Sequence, residues 1–240
     1  MHFETPLQPA TLIKRYKRFL ANVTTEQGLE ITVHCPNSGS MRGCSTPGSP
    51  VMLSTSPNPK RKYPQTLEMV KEGETWIGVN TMLTNKIVAE AILEGKISEF
   101  QKIDTLTREV TTSKSSRLDL LLERGAEKIY VEIKNCSLVE DGWATFPDAV
   151  TARGTKHLKE LADLVAKGHR GVIFFCIQRT DAKRFRPAAH IDPLYARTLA
   201  EVSKKGVEIM AYQTEIGPES IIVTTPIPCF LTQEEPIQQQ

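Results

Sequence analysis

Arg117-Leu118-Asp119-Leu120-Leu121-Leu122, a turn around Gly125-Ala126, then Ile129-Tyr130-Val131-Glu132-Ile133-Lys134: this stretch decides how the chain folds. Two aliphatic runs flank a glycine-led dipeptide, the pattern of a β-hairpin. A two-residue turn with Gly first is the type II′ turn that hairpins favour. Arg124 then pairs with Glu127, and counting back sets Asp119 across from Glu132. Side chains alternate faces along a strand, so Glu132 and Lys134 point one way and Ile133 the other. Two carboxylates and an ammonium are expected on one patch, with Leu118, Leu120, Val131 and Ile133 opposite.

Carboxylates placed directly across a sheet repel. A divalent cation between them removes that penalty, and Mg²⁺ suits a site of few carboxylates, waters and phosphate oxygens. Asp followed by Glu-x-Lys on the next strand is the signature of the nuclease core of restriction endonucleases. Asp119, Glu132 and Lys134 are therefore the candidate catalytic residues, with Asp119 and Glu132 as ligands of Mg²⁺ or Mn²⁺. The competing reading is a half-exposed hairpin with a solvated charged face.

The surroundings extend the pattern. Asn85 to Leu93 has helical spacing, with Gly95 as a stop. Glu90 shares a stripe with Leu83 and Ile87 and is a candidate third metal ligand. Thr105 to Thr111 reads as a strand. A second helix carries Leu158, Leu161 and Val165 on one face. Where it begins, Thr151, Arg153, Lys156 and His157 cluster; Arg153 and Lys156 are candidates to hold phosphate, and His157 reads as a packing or capping residue. Trp143 is either a loop anchor or a stacking platform. Gly171 to Gln178 is the continuous apolar run of a strand covered on both faces. Asp192-Pro193 opens a third helix, with Asp as cap and Pro at its first position. Val207 to Tyr212 and Ser220 to Thr224 are strand candidates. Helix, three strands, helix, strand, helix, strand predicts an α/β domain with a mixed sheet over residues 81–240.

Residues 1–80 read differently. Leu12 to Val23, Leu29 to Val33 and Val51 to Ser54 are short strand candidates, separated by loops at Pro36 to Ser40 and Ser56 to Pro59. Short strands with turn signals predict a small β-barrel, of which a five-stranded oligonucleotide-binding barrel is one option. The net charge of +2 hides an uneven distribution. From Thr11 to Tyr63, eight Lys and Arg stand against Glu26 and Glu30 alone. Lys14, Arg15, Lys17 and Arg18 interleave with Tyr16; Lys60, Arg61 and Lys62 precede Tyr63. Cations with interleaved aromatics are how single-stranded nucleic acid is held. These seven residues are the candidate DNA-binding set of the barrel.

At 240 residues, 40% hydrophobic and 24% charged, the chain has a globular rather than a disordered composition. Its longest apolar run, Val172 to Ile177, is far short of the roughly 20 residues that span a bilayer. The first residues carry no basic segment followed by an apolar one, so a cytoplasmic location without membrane contact is expected. Five cysteines lack any Cys-x-x-Cys spacing, and His34-Cys35 with Cys44 matches no zinc pattern.

Several separated stretches resemble the bacterial sugar fermentation stimulation protein A (SfsA) family. They are Leu12 to Leu20, His34-Cys35-Pro36-Asn37-Ser38-Gly39, Lys60 to Pro64, Arg117-Leu118-Asp119, Val131-Glu132-Ile133-Lys134, Phe146 to Thr151, Arg153-Gly154, Lys156-His157-Leu158 and Ala189 to Asp192. The resemblance implies an N-terminal OB-fold-like barrel and a C-terminal restriction-endonuclease-like, PD-(D/E)xK domain. It also implies non-specific DNA binding and a regulatory link to maltose and other sugar metabolism. Two functions follow. One is a metal-dependent nuclease acting on DNA or a DNA–RNA hybrid; the other is a DNA-binding regulator that reuses the nuclease fold without cleaving. Direct sugar binding has no supporting feature, since neither a Gly-rich phosphate loop nor a dense aromatic platform is present.

Overall fold

The computed structural model describes residues 1–113 and 116–231. Its first sheet contains β1 (Gln8–Tyr16), β2 (Leu20–Thr25), β3 (Glu30–His34), β4 (Pro50–Thr55), β5 (Gln65–Glu72) and β6 (Thr75–Gly78). The order is β3-β2-β1-β4-β5-β6, and β3 also pairs in parallel with β5 at His34↔Thr66. That last pairing closes five strands into a barrel of the oligonucleotide-binding type. Leu12, Val23, Val33, Val51, Leu53 and Leu67 fill its interior. Cys35 and Cys44 lie in the same core as free thiols. Burial pushes the Cys44 thiol up to about 12.

The expected strand from Leu12 to Val23 is two strands. Tyr16 pairs with Leu20 across a turn in which Lys17 and Arg18 have φ of +48° and +62°. A left-handed conformation costs a non-glycine residue roughly 1–3 kcal/mol, which is why the sequence carries no turn signal here. The compensation comes from Arg15. Its guanidinium donates to the carbonyls of Arg18 (2.9 Å), Asn37 (2.8 Å), Gly39 (2.8 Å) and Ser40 (3.1 Å), binding the turn to the loop after β3.

The second unit begins with α1 (Thr84–Leu93). It continues through β7 (Thr105–Ser113), β8 (Ser116–Arg124), β9 (Glu127–Cys136), β10 (Leu138–Glu140) and β11 (Trp143–Phe146). Then come α2 (Ala152–Ala166), β12 (Arg170–Ile177), β13 (Arg184–Pro187), α3 (Pro193–Lys204), β14 (Glu208–Ile216) and β15 (Ile221–Pro226). The large sheet has the order β15-β14-β12-β9-β8-β7. Strands β9, β12 and β14 run parallel, and the outer pairings are antiparallel. Helix α1 covers one face with Ile87, Val88 and Ile92 against Leu120, Val131 and Phe174. Helices α2 and α3 cover the other, where Leu158, Leu161 and Leu199 meet Ile173 and Phe175. Strand β12 is thus buried on both faces, as its unbroken apolar run requires. The small β10-β11-β13 sheet is not foreshadowed by any strand pattern in the sequence.

The two units are joined by more than the chain. Gly78 donates its N–H to the Gln178 carbonyl at 3.0 Å, and Thr81 donates to the Pro36 carbonyl. Asp148, just after β11, accepts from the Met41 N–H at 3.0 Å and from the Ser40 hydroxyl. Residues at the very front belong with the second unit rather than the barrel. His2 bridges Ser220, and Met1 and Ile221 exchange backbone bonds. Among the described residues no helix is long and apolar enough to cross a membrane.

Candidate metal centre and nucleic-acid surface

The hairpin forms in the expected register, with Arg124↔Glu127 through Leu120↔Val131 paired and Gly125 at φ +58° in the turn. The regular pairs stop there, one short of Asp119 and Glu132. On the other side, Val110↔Leu118 and Arg108↔Leu120 pair while Glu109 between them adopts φ +54°. The sheet is therefore irregular at Asp119. Leu120, Val131 and Ile133 pack on the α1 side, but Leu118 packs on the α2 side. The expectation that all four share one face is corrected by this break.

The irregularity frees the Asp119 carboxylate to turn toward its neighbours. One oxygen accepts from the Asn85 amide on α1, and the other accepts from the Ile133 N–H, both at 2.8 Å. Glu132 is 2% exposed. Its Oε1 accepts from Lys134 Nζ at 2.5 Å and bonds His157 Nδ1 on α2. Arg153 Nε lies 3.4 Å from His157 Nε2, the ring nitrogen that does not meet Glu132. Glu132 Oε2 is buried and has no hydrogen-bond partner among the described residues.

Burial, followed by the nearby Glu132 charge, holds the Asp119 carboxyl above its ordinary value. Burial also acts upward on Glu132, but the His157 hydrogen bond and Lys134 outweigh it and hold this carboxyl below its ordinary value. The two acids are thus shifted in opposite directions, Asp119 upward chiefly by burial and Glu132 downward by His157 and Lys134. In metal-free protein the sign for Asp119 is clear. Its contribution to stability is complete below its ordinary pKa and is lost as pH rises through the raised one. Asp119→Asn is expected to abolish that loss of stability with rising pH, relative to wild type, in urea titrations with EDTA. The same variant is expected to lose most Mn²⁺ heat in calorimetry. Equal Mn²⁺ binding by both proteins would show a merely solvated hairpin.

Glu90 is not brought to this pair. Its carboxylate meets the Met1 ammonium at 3.2 Å and Lys86 at 3.8 Å. A stripe on α1 does not say which end of the helix reaches the hairpin. Asn85, five residues earlier, is the α1 residue whose side chain bonds Asp119. Among the described residues, no group of three His, Cys, Asp or Glu forms a metal cluster. The pair still fits a hard cation, because Mg²⁺ is commonly held by one or two carboxylates and keeps several waters. The orphaned Glu132 oxygen is the position a cation would satisfy.

The remaining candidates divide. Arg153 and Lys156 are exposed on α2, near His157. Trp143 is an anchor, with the Arg184 and Arg186 guanidiniums 3.9 and 4.9 Å from its ring and Phe230 at its edge. Lys14, Lys17, Arg18, Lys60 and Lys62 are exposed on the barrel. Arg61 bonds His34 Nδ1 at 2.8 Å, and His34 pairs with Leu20 beside the Lys17–Arg18 turn. Both basic runs therefore occupy one end of the barrel. From that end the loop held by Arg15 leads into a cleft of about 380 Å³ between the units, lined by Asn37, Asn85, Ile133, Lys134, Thr145 and Thr151 among others.

A closed OB barrel docked on a restriction-endonuclease-like mixed sheet, with Asp119, Glu132 and Lys134 on its central hairpin, defines a two-domain protein of nuclease-like fold. Comparison with known proteins gives the family. The model described as "Sugar fermentation stimulation protein RE domain" matches residues 82–220, and "SfsA N-terminal OB domain" matches residues 13–79. A sugar fermentation stimulation protein homolog of Desulfotalea psychrophila is 61% identical over 216 residues, covering 90% of this chain and 92% of its own. One from Geotalea uraniireducens is 51% identical over 224 residues, covering 93% and 97%. The solved structure of Pyrococcus furiosus SfsA in complex with Ca²⁺ superposes with a TM-score of 0.87 at 27% identity, covering 96% of this chain and 98% of that one. The chain belongs to the sugar fermentation stimulation protein family.

Proposed function

We propose that this protein is a divalent-metal-dependent nuclease that binds DNA, or a DNA–RNA hybrid, without sequence preference. The observation that carries the reading is Glu132 Oε2, a buried carboxylate oxygen without a partner beside a second carboxylate. A buried polar atom left unpaired is costly, and a bound ion is one way such an atom is satisfied. The Ca²⁺ complex of the Pyrococcus furiosus relative supports a hard-cation site.

Asp119 and Glu132 would hold Mg²⁺ or Mn²⁺. Such an ion supplies Lewis-acid polarisation of a phosphoryl oxygen and an acidified water. Asn85 and the Ile133 N–H fix the Asp119 carboxylate, and His157 fixes that of Glu132. Lys134, reaching the cleft, orients the attacking water and offsets charge that builds on the phosphate. Lys14, Lys17, Arg18, Lys60, Lys62, Arg153 and Lys156 supply phosphate contacts.

The second reading, a non-cleaving DNA-binding regulator linked to sugar metabolism, is favoured by the saturated Oε1 of Glu132 and by the absence of a three-ligand cluster among the described residues. The deciding experiment is nicking of plasmid and of hybrid substrates with Mg²⁺, Mn²⁺ or EDTA. Wild type is expected to nick with metal only, and Glu132→Ala not at all. Nicking by Glu132→Ala at the wild-type rate would remove Glu132 from the chemistry.

A further inference from the structure

The cleft between the units is built for something the two acids do not explain. One wall is the loop Asn37 to Gly39 from the barrel. The other is the end of β9 and the segment Thr145 to Thr151. Its walls are fixed to each other. The Met41 N–H and Ser40 hydroxyl of the barrel donate to Asp148 of the other wall, while Asn37 Nδ2 holds its own loop to the barrel by donating to the Val79 carbonyl at 3.0 Å.

The lining carries few charges. Lys134 sits at one end, and the Asp148 carboxylate is already bound by Met41 and Ser40. The rest is neutral and rich in hydroxyl, amide and backbone groups, with Pro147 and the exposed Val150 as apolar surface. A pocket meant for an isolated anion needs cations, and this one has a single lysine. A pocket meant for a neutral heterocycle needs donors, acceptors and flat apolar contact. Thr145 adds an independent sign. It is 1% exposed, lines the cleft, and its hydroxyl has no hydrogen-bond partner among the described residues. Leaving a buried hydroxyl unpaired is costly, and a ligand group that bonds it would recover that cost.

We propose that this cleft receives one unpaired nucleotide of a nucleic-acid strand, its base against Thr145 and Pro147, while the adjoining phosphate lies at Lys134 and the two acids. The proposal rests on the nuclease reading for its second half only. The cleft shares Asn85, Ile133 and Lys134 with the surroundings of the metal site, so a base seated in it leaves its phosphate at the carboxylates. About 380 Å³ falls within the roughly 300–1,000 Å³ of small-ligand pockets. It has room for a nucleotide and none for a base pair. The substrate class is then single-stranded, bulged or frayed nucleic acid, or duplex from which a nucleotide is extruded.

The test uses full-length protein in EDTA, where cleavage plays no part. Three DNAs are titrated by anisotropy: a perfect duplex, the same duplex with one bulged nucleotide, and that duplex with an abasic bulge. The bulged DNA is expected to bind at least tenfold tighter than the other two. Thr145→Val, which removes only the unpartnered hydroxyl, is expected to reduce that preference severalfold with an unchanged or raised Tm. Ser38→Trp, at an exposed position on the rim, is expected to abolish it by filling the cleft. Equal affinity for all three DNAs would overturn the proposal, as would a preference untouched by both variants. Equal affinity for the bulged and abasic-bulged DNAs would show that bent backbone, and not a base, is recognised. Because no arm measures cleavage or metal binding, a failure here leaves the nuclease reading standing, and the converse also holds.

Discussion

Lys134→Ala is expected to lower single-turnover cleavage by about 100-fold or more, the scale of removing one electrostatic stabiliser, while DNA affinity changes little. Lys134 is the one member of the hairpin trio that lines the cleft, whereas Glu132 is sealed beneath it. Its ammonium lies 2.5 Å from Glu132 Oε1. With Asp119 and Glu132 holding a cation, Lys134 would be the group of the three that faces substrate in the cleft. An interaction made chiefly in the transition state appears in kcat and not in binding. Ground-state affinity comes instead from the exposed cations of the barrel and α2. The measurement is single-turnover cleavage beside equilibrium binding, on duplex, single-stranded and hybrid DNA. If wild type cleaves none of them with Mg²⁺ or Mn²⁺, and Lys134→Ala alters affinity alone, the regulator reading replaces the nuclease.

Much of this site was legible in the chain because it is local. Gly125 supplies the positive φ of the turn, alternation sets the faces, and together they fix the register that brings Asp119 toward Glu132. Asp192-Pro193 caps α3 as its pattern predicts, the carboxylate accepting from the Tyr195 N–H at 2.9 Å. What escaped was long-range. His157 reads as an ordinary residue of a basic helix turn until α2 is docked on β9, where it meets a carboxylate 25 positions earlier. Glu90 and Asn85 lie on one helix, and only docking tells which of them faces the hairpin. Strand β5 hid because a charged residue interrupts it. Glu68 is nevertheless buried, satisfied by the Ser54 hydroxyl at 2.5 Å and the Asn80 amide at 2.8 Å. Burial raises its carboxyl above the ordinary value. The sequence cannot show that such partners exist.

Arg15→Ala is expected to destabilise the protein by about 2–4 kcal/mol, since a charged donor contributes roughly 1.5–3 kcal/mol per hydrogen bond and this one is partly exposed. Within a run of four cations, Arg15 differs from its neighbours. It donates to four carbonyls and ties the strained Lys17–Arg18 turn to the loop that forms one wall of the cleft. Lys14, Lys17 and Arg18 are exposed and are the proposed phosphate contacts of this run. Charge count alone treats the four alike; geometry separates a structural clamp from a binding surface. Replacing Lys14, Lys17 and Arg18 together is expected to leave the urea midpoint nearly unchanged. It should also flatten the salt dependence of DNA binding, by about 0.9 in log–log slope for each phosphate no longer neutralised. Arg15→Lys is expected to recover little stability, because one ammonium cannot match the fork that reaches several carbonyls at once. Should Arg15→Ala instead keep the wild-type midpoint and flatten the salt slope, Arg15 is a phosphate ligand and the clamp is incidental.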